Sequence, residues 1–166
     1  MKKYKLTDEC ITIGEHKLYR IEALKDFSCI KKGDKGGFIE SEKNLSHNGD
    51  CWVFGNAVVC DNARIFGNAA VCGNARIFGN AEVYGEAEIG GYAKIANNSD
   101  YIVFKNWWSS GRYFTWTRSD NMWRVGCFYG TGAELIAKAY KDSELSGREY
   151  ERVVKYVESI LKDSKK

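Results

Sequence analysis

The chain has 166 residues, among them two histidines, six cysteines and five tryptophans. A site, if there is one, must draw on these. His47 stands in NLSHNGD, three residues before Asp50, and His16 stands in TIGEHKLYR. A general base needs reach and an orienting partner, and Asp50 is in range to orient His47. Both histidines nevertheless read as solvated residues at turns. Gly126-Cys127 falls between a strand pattern and a helix pattern, where a thiol can be activated. With no histidine near it in sequence, and with aromatic residues around it, Cys127 reads as packed. Gly130-Thr131-Gly132 offers backbone amides at a helix start, which can seat a phosphate. It lacks the lysine of a P-loop and reads as an N-cap. Cys10, Cys29, Cys51, Cys60, Cys72 and Cys127 form no C-x-x-C pair and show no ligand spacing with either histidine. They are expected to be reduced thiols in a cytoplasm, and neither a metal nor a cofactor is expected.

The richest candidate surface is aromatic and basic. Trp107, Trp108, Arg112, Trp116, Arg118, Trp123 and Arg124 lie within eighteen residues. Such a set can stack a nucleobase and hold phosphate, anchor a protein partner, or fill a core. Trp107 and Trp108 are adjacent. Neighbours on a strand face opposite ways, so one of the two is expected to meet something outside its own core. The formal net charge of +3 makes a nucleic-acid partner unlikely from the total alone. No apolar run approaches a membrane span, and the basic start MKKYKL is not followed by the apolar stretch of a signal peptide.

These residues must be positioned by an unusual scaffold. From Gly49 the chain divides into GDCWVF, GNAVVC, DNARIF, GNAAVC, GNARIF, GNAEVY, GEAEIG and GYAKIA, eight units without an insertion. The fifth place is always branched: Val53, Val59, Ile65, Val71, Ile77, Val83, Ile89, Ile95. The third is always small: Cys51, then Ala57, Ala63, Ala69, Ala75, Ala81, Ala87, Ala93. Positions two apart share one face of a strand, so each unit is a short strand with one small and one branched inward residue. Gly-Asn supplies the turn, because both tolerate positive φ. A period of six fits no α-helix and leaves no room for hairpins. What remains is a coil in which each strand pairs with its equivalent one turn above, a solenoid with one stacked core.

G-N-A-x-[VI]-x repeats resemble those of the hexapeptide-repeat proteins. The resemblance implies a left-handed parallel β-helix of triangular section, three units per turn, often trimeric and in many members an acyltransferase using a histidine base. Under that enzyme reading the base here is His47. Neither histidine sits inside a regular coil, however, and no looped-out insertion builds a substrate wall. With three units per turn, residues eighteen apart stack. One outer face then carries the apolar strip Trp52, Phe54, Ala70 and Cys72, expected to be covered by another subunit or by the flanks.

Residues 1–36 read as an N-terminal cap with a hairpin around Gly14-Glu15. Residues 37–100 read as the β-helix, with an imperfect first coil near Gly37. Residues 101–166 read as a small α+β unit, with strands over 101–106, 112–118 and 122–129 and two helices. Those helices are expected to be capped by Thr131-Gly-Ala-Glu134 and Ser146-Gly-Arg-Glu149. The fold class is mainly β. VGCFYGTGAELIAKAY and KKGDKGGFIESEKNLS are similar to segments of small phage and prophage proteins of unassigned activity that carry hexapeptide repeats. This second resemblance implies a phage accessory protein in the bacterial cytoplasm: a homotrimer that binds and blocks a host protein or a small nucleotide signal, as a counter-defence inhibitor. An acyltransferase-like enzyme and a structural assembly protein remain as alternatives.

Overall fold

The computed structural model describes residues 1–166. The repeat forms a left-handed parallel β-helix of about three turns. Its strands are two residues long: β4 (Trp52–Val53), β5 (Val58–Val59), β6 (Arg64–Ile65), β7 (Ala70–Val71), β8 (Arg76–Ile77), β9 (Glu82–Val83), β10 (Glu88–Ile89) and β11 (Lys94–Ile95). Every pairing between them is parallel and joins residues eighteen apart, as in Trp52 with Ala70 and Ala70 with Glu88. Three units per turn is therefore the observed geometry. Every small and branched inward residue is buried, from Cys51 and Val53 through Ala93 and Ile95.

The turns explain the glycines. Gly67 has φ +68°, and a Cβ there would lie 2.9 Å from the amide nitrogen of Gly85 one coil above. The stack leaves no room for a side chain at that corner. Asp61 breaks the pattern: it occupies a glycine place and still takes φ +57°, a region unfavourable to L-residues.

The imperfect first coil is present. β3 (Lys35–Ile39) pairs parallel with β5, and Leu45 bridges Ile65. Beneath it, β1 (Tyr4–Ile13) and β2 (His16–Ala23) form the hairpin with its turn at Gly14-Glu15, and β2 runs antiparallel to β3. Hairpin and coils thus share a six-stranded sheet ordered β1-β2-β3-β5-β8-β11.

An open solenoid end exposes unpaired backbone groups, and both ends are closed by side chains. In lower coils the amides of Arg64, Ala70 and Arg76 donate to the carbonyls of Ala81, Ala87 and Ala93 above. Their counterparts in the last coil have no strand above them. Glu82 N donates to Asn98 Oδ1 (2.7 Å), Glu88 N to Thr115 Oγ1 (3.0 Å) and Lys94 N to Ser119 Oγ (2.8 Å). At the lower end carbonyls need donors. Lys3 Nζ donates to Cys51 O and Gly49 O, and Asn44 Nδ2 to Ala63 O and Asp61 O.

The C-terminal unit is a four-stranded antiparallel sheet, β12 (Tyr101–Lys105), β13 (Tyr113–Thr117), β14 (Met122–Val125) and β15 (Phe128–Gly130), followed by α1 (Gly132–Asp142) and α2 (Glu144–Asp163). The expected third strand over 122–129 is two strands, because Gly126 at φ +57° turns the chain back on itself. That turn also exposes Cys127, which the sequence reading had packed. Thr131 and Glu134 form the capping box of α1 as expected. The expected Ser146 cap is corrected: α2 starts three residues earlier, with Ser143 accepting the amide of Ser146, so Ser146 lies inside the helix. Phe114, Trp116, Trp123, Leu135, Ala139, Tyr150, Val154 and Val157 form the unit's core. No helix is long and apolar enough to cross a membrane.

Candidate functional site

The aromatic residues divide. Trp116 and Trp123 are buried in the C-terminal core, and Trp116 Nε1 donates to Asn121 Oδ1 (2.8 Å). Trp108 turns inward, its ring 4.8 Å from Tyr150 and its Nε1 donating to Ser146 Oγ. Trp107 turns outward and is 71% exposed. It lies just beyond the end of the β12–β13 pair, where Lys105 opposes Tyr113 and holds its ammonium 5.8 Å from the tyrosine ring. Arg112, next to Tyr113 in the chain, is exposed, but its guanidinium lies over Gly126 at the β14–β15 turn rather than with Lys105. The other two arginines also point elsewhere. Arg118 donates to Ser99 O (3.2 Å) and lies over the ring of Trp116. Arg124 pairs with Glu88 (3.4 Å) and crosses Gly90, where a Cβ would lie 2.8 Å from its guanidinium.

The apolar strip is covered within the same chain at its lower end. Trp52 is buried, edge-on to Phe27 (5.4 Å) and Tyr4 (6.2 Å). Phe54, Ala70 and Cys72 remain half-buried on the floor of a groove of about 590 Å³, bounded by Ser28, Cys29 and Arg124.

His47 is held structurally. Its ring stacks on Tyr4 (4.3 Å), its Nδ1 accepts the amide of Lys3 (3.1 Å) and its Nε2 faces Glu42 (3.4 Å). Glu42 thus takes the place the sequence suggested for Asp50, and both ring nitrogens are engaged.

His16 is the histidine in a groove. The hairpin tip folds over the outer face of β5 and β8, packing Leu18 against Phe38 and Val58. This leaves a groove of about 340 Å³ lined by Ile13, His16, Cys60, Asp61, Arg76, Phe78 and Lys94, among others. His16 Nδ1 lies 3.1 Å from Glu40 Oε1 and Nε2 3.3 Å from Asp61 Oδ1. The hydrogen bond to Glu40, reinforced by the charge of Asp61, raises the histidine's pKa, and the same bond lowers that of Glu40. With each ring nitrogen facing a carboxylate, neither is free to take a proton from a substrate. Burial, with the two carboxylates nearby, pushes the Cys60 thiol up to about 11. Along the same face Arg76 and Lys94 stack one coil apart and make no ion pair. The sequence reading missed this groove: His16 and Cys60 are separated by 44 residues and only the hairpin fold joins them. The one local sign was Asp61, the single break in an otherwise regular column of glycines.

No family model matches the chain. An alignment 80 positions long, which covers 39% of this chain, is 33% identical to the uncharacterized acetyltransferase YdcK of Escherichia coli (strain K12). The chain spans about a quarter of the length of that curated relative, since the match covers 24% of it. This similarity fits a hexapeptide-repeat β-helix.

Proposed function

We propose that the chain is a phage accessory protein that acts by binding: a homotrimeric β-helix post that blocks or sequesters a host component, protein or nucleotide signal, in the cytoplasm. The observation that carries the reading is Trp107. An indole exposed to 71%, two residues past Lys105 at the end of the β12–β13 pair where Lys105 opposes the exposed Tyr113, offers residue types that dominate binding energies. Three copies on one post would add avidity, because a second contact made by a tethered unit is effectively intramolecular. The half-buried strip of Phe54, Ala70 and Cys72 is the surface offered for self-association.

The test compares wild type with Trp107→Ala and Tyr113→Ala in affinity capture from host cells, with proteins and released nucleotides both identified by mass spectrometry. The reading expects one component to be lost from both variants while melting temperature and molecular mass stay unchanged. Equal recovery by the variants rules out this surface, and a monomeric mass in light scattering rules out the post of three.

Acyl transfer is a second reading, favoured by the His16–Glu40 hydrogen bond in an open groove and by the name of the Escherichia coli relative. The clamp of Asp61 on the other ring nitrogen weighs against it. Acyl-CoA turnover that disappears in His16→Ala would establish this reading, and turnover unaffected by both His16→Ala and His47→Ala would remove it.

A further inference from the structure

We propose that His16, Cys60 and Asp61 form a binding site for a divalent transition-metal ion of the zinc type, with one coordination position open to the groove. The site stands apart from the Trp107 surface, so either proposal can fail alone.

The donor set comes first. An imidazole nitrogen, a thiol sulfur and a carboxylate oxygen lie within 4.8 Å of one another, and His16 Nε2 is 3.3 Å from Asp61 Oδ1. Ligand atoms around a tetrahedral zinc ion stand roughly 3.3–3.8 Å apart, given bonds of about 2.0–2.3 Å. The three donors therefore need only small rotations to enclose an ion. Mixed nitrogen, sulfur and oxygen ligation selects zinc or cobalt over calcium or magnesium, which take oxygen ligands.

The orientation of the donors is built in. Metal-bound histidines characteristically give their other ring nitrogen to a carboxylate, which fixes tautomer and direction. Here His16 Nδ1 is bonded to Glu40 Oε1 (3.1 Å), which leaves Nε2 as the ligand. Glu40 Oε2 accepts the amide of Asp61 (2.7 Å), so one carboxylate orients two ligands at once. Asp61 Oδ2 accepts the amide of Gly79 (3.0 Å), which leaves Oδ1 turned to His16 as a single-oxygen donor. Asp61 is also the one residue set in a glycine place of the regular coils, where it keeps the left-handed backbone at φ +57°.

The chemistry balances. One divalent ion takes the place of the thiol proton of Cys60 and of any proton on His16 Nε2, and the protons displaced leave to solvent. The remaining position faces the groove, where Arg76 and Lys94 carry positive charge without carboxylate partners. A water or an anionic ligand fits there.

Cobalt(II) is the probe. One equivalent added to the reduced protein is expected to produce a thiolate-to-cobalt charge-transfer band together with the visible bands of a tetrahedral ion, and zinc to abolish both. Cys60→Ser should lose the charge-transfer band, while Cys127→Ser, which alters an exposed thiol elsewhere, keeps it. Glu40→Gln should weaken zinc binding about 10- to 100-fold without removing a ligand. Melting curves recorded without metal show that each variant is folded. No cobalt band in the folded wild type, or the same band in folded Cys60→Ser, overturns the site. A Glu40→Gln affinity equal to wild type overturns the orienting role given to Glu40.

Discussion

The ammonium of Lys3 lies 2.7 Å from the carbonyl oxygen of Cys51 and is itself buried. Ala69 O, the counterpart of Cys51 O one coil up, accepts the amide of Trp52 from the coil below. Cys51 O has no such strand beneath it, and a lysine side chain supplies the missing donor. Burial lowers the lysine's pKa, while the Cys51 sulfur 3.3 Å away and the charge of Asp50 work the other way. Removing a partner from a buried acceptor costs about 1–3 kcal/mol, and Lys3 also serves Gly49 O. Lys3→Met should therefore lower unfolding free energy in urea by at least about 2 kcal/mol. Lys2→Met, which loses only a solvent-exposed pair with Glu42, should cost under about 1 kcal/mol.

The upper end makes the complementary prediction. Thr115→Val keeps the shape of the side chain but removes the acceptor of the Glu88 amide. Hydrogen exchange at Glu88 N should quicken markedly relative to Ala70 N, which stays bonded to Ala87 O. Ser119→Ala should do the same at Lys94 N. Unchanged exchange at both amides would show that these hydroxyls do not close the coil.

Glycine corners should not be equivalent. At Gly85, φ is +64° and a Cβ would meet nothing within 4 Å, so Gly85→Ala should cost only the conformational penalty of about 1–2 kcal/mol. At Gly67 the same change also drives a Cβ to 2.9 Å from backbone. Its cost in thermal or urea melts should exceed that of Gly85→Ala by about 1 kcal/mol or more.

The stacked core is intolerant in both directions. Ile77→Ala empties a fully buried place and should cost about 2–5 kcal/mol. Ala75→Val adds methyl groups where the coil section admits only a small residue and should cost about 1–3 kcal/mol. Urea midpoints with unchanged slopes are the check.

Alkaline pH should loosen the docking of the C-terminal unit. Tyr101 donates to Glu82 O (2.7 Å) and Tyr129 to Asp120 Oδ2 (2.8 Å). Burial first, and for Tyr129 the bond to Asp120 next, pushes both phenols up to about 12. An unfolded tyrosine titrates near 10. Stability from these groups is thus complete below about pH 10 and is lost as pH rises towards 12. Tyr101→Phe should flatten that loss, measured by urea melts at about pH 9 and about pH 11 alongside tyrosinate absorbance.

The sequence alone determined the coil. Alternation of inward and outward places is local, so Ala57, Ala75 and Ala93 could be turned inward before any coordinate was known; their place in one column followed from the resemblance to hexapeptide repeats, which implies three units per turn, and not from the period of six. Thr131 and Glu134 were equally legible, because a capping box spans four residues. The split of the expected third strand was not: a lone Gly126 in an aromatic run carries too weak a turn signal to read. The fate of each tryptophan, the clamps on both histidines and the capping of the coil ends were decided only by tertiary structure. They depend on where a hairpin and a small sheet dock on the post, and those contacts join residues with no shared period. His16 meets Asp61 because a hairpin folds over one face of the coil, a juxtaposition set by the packing of Leu18 on Phe38 and Val58 rather than by any spacing along the chain.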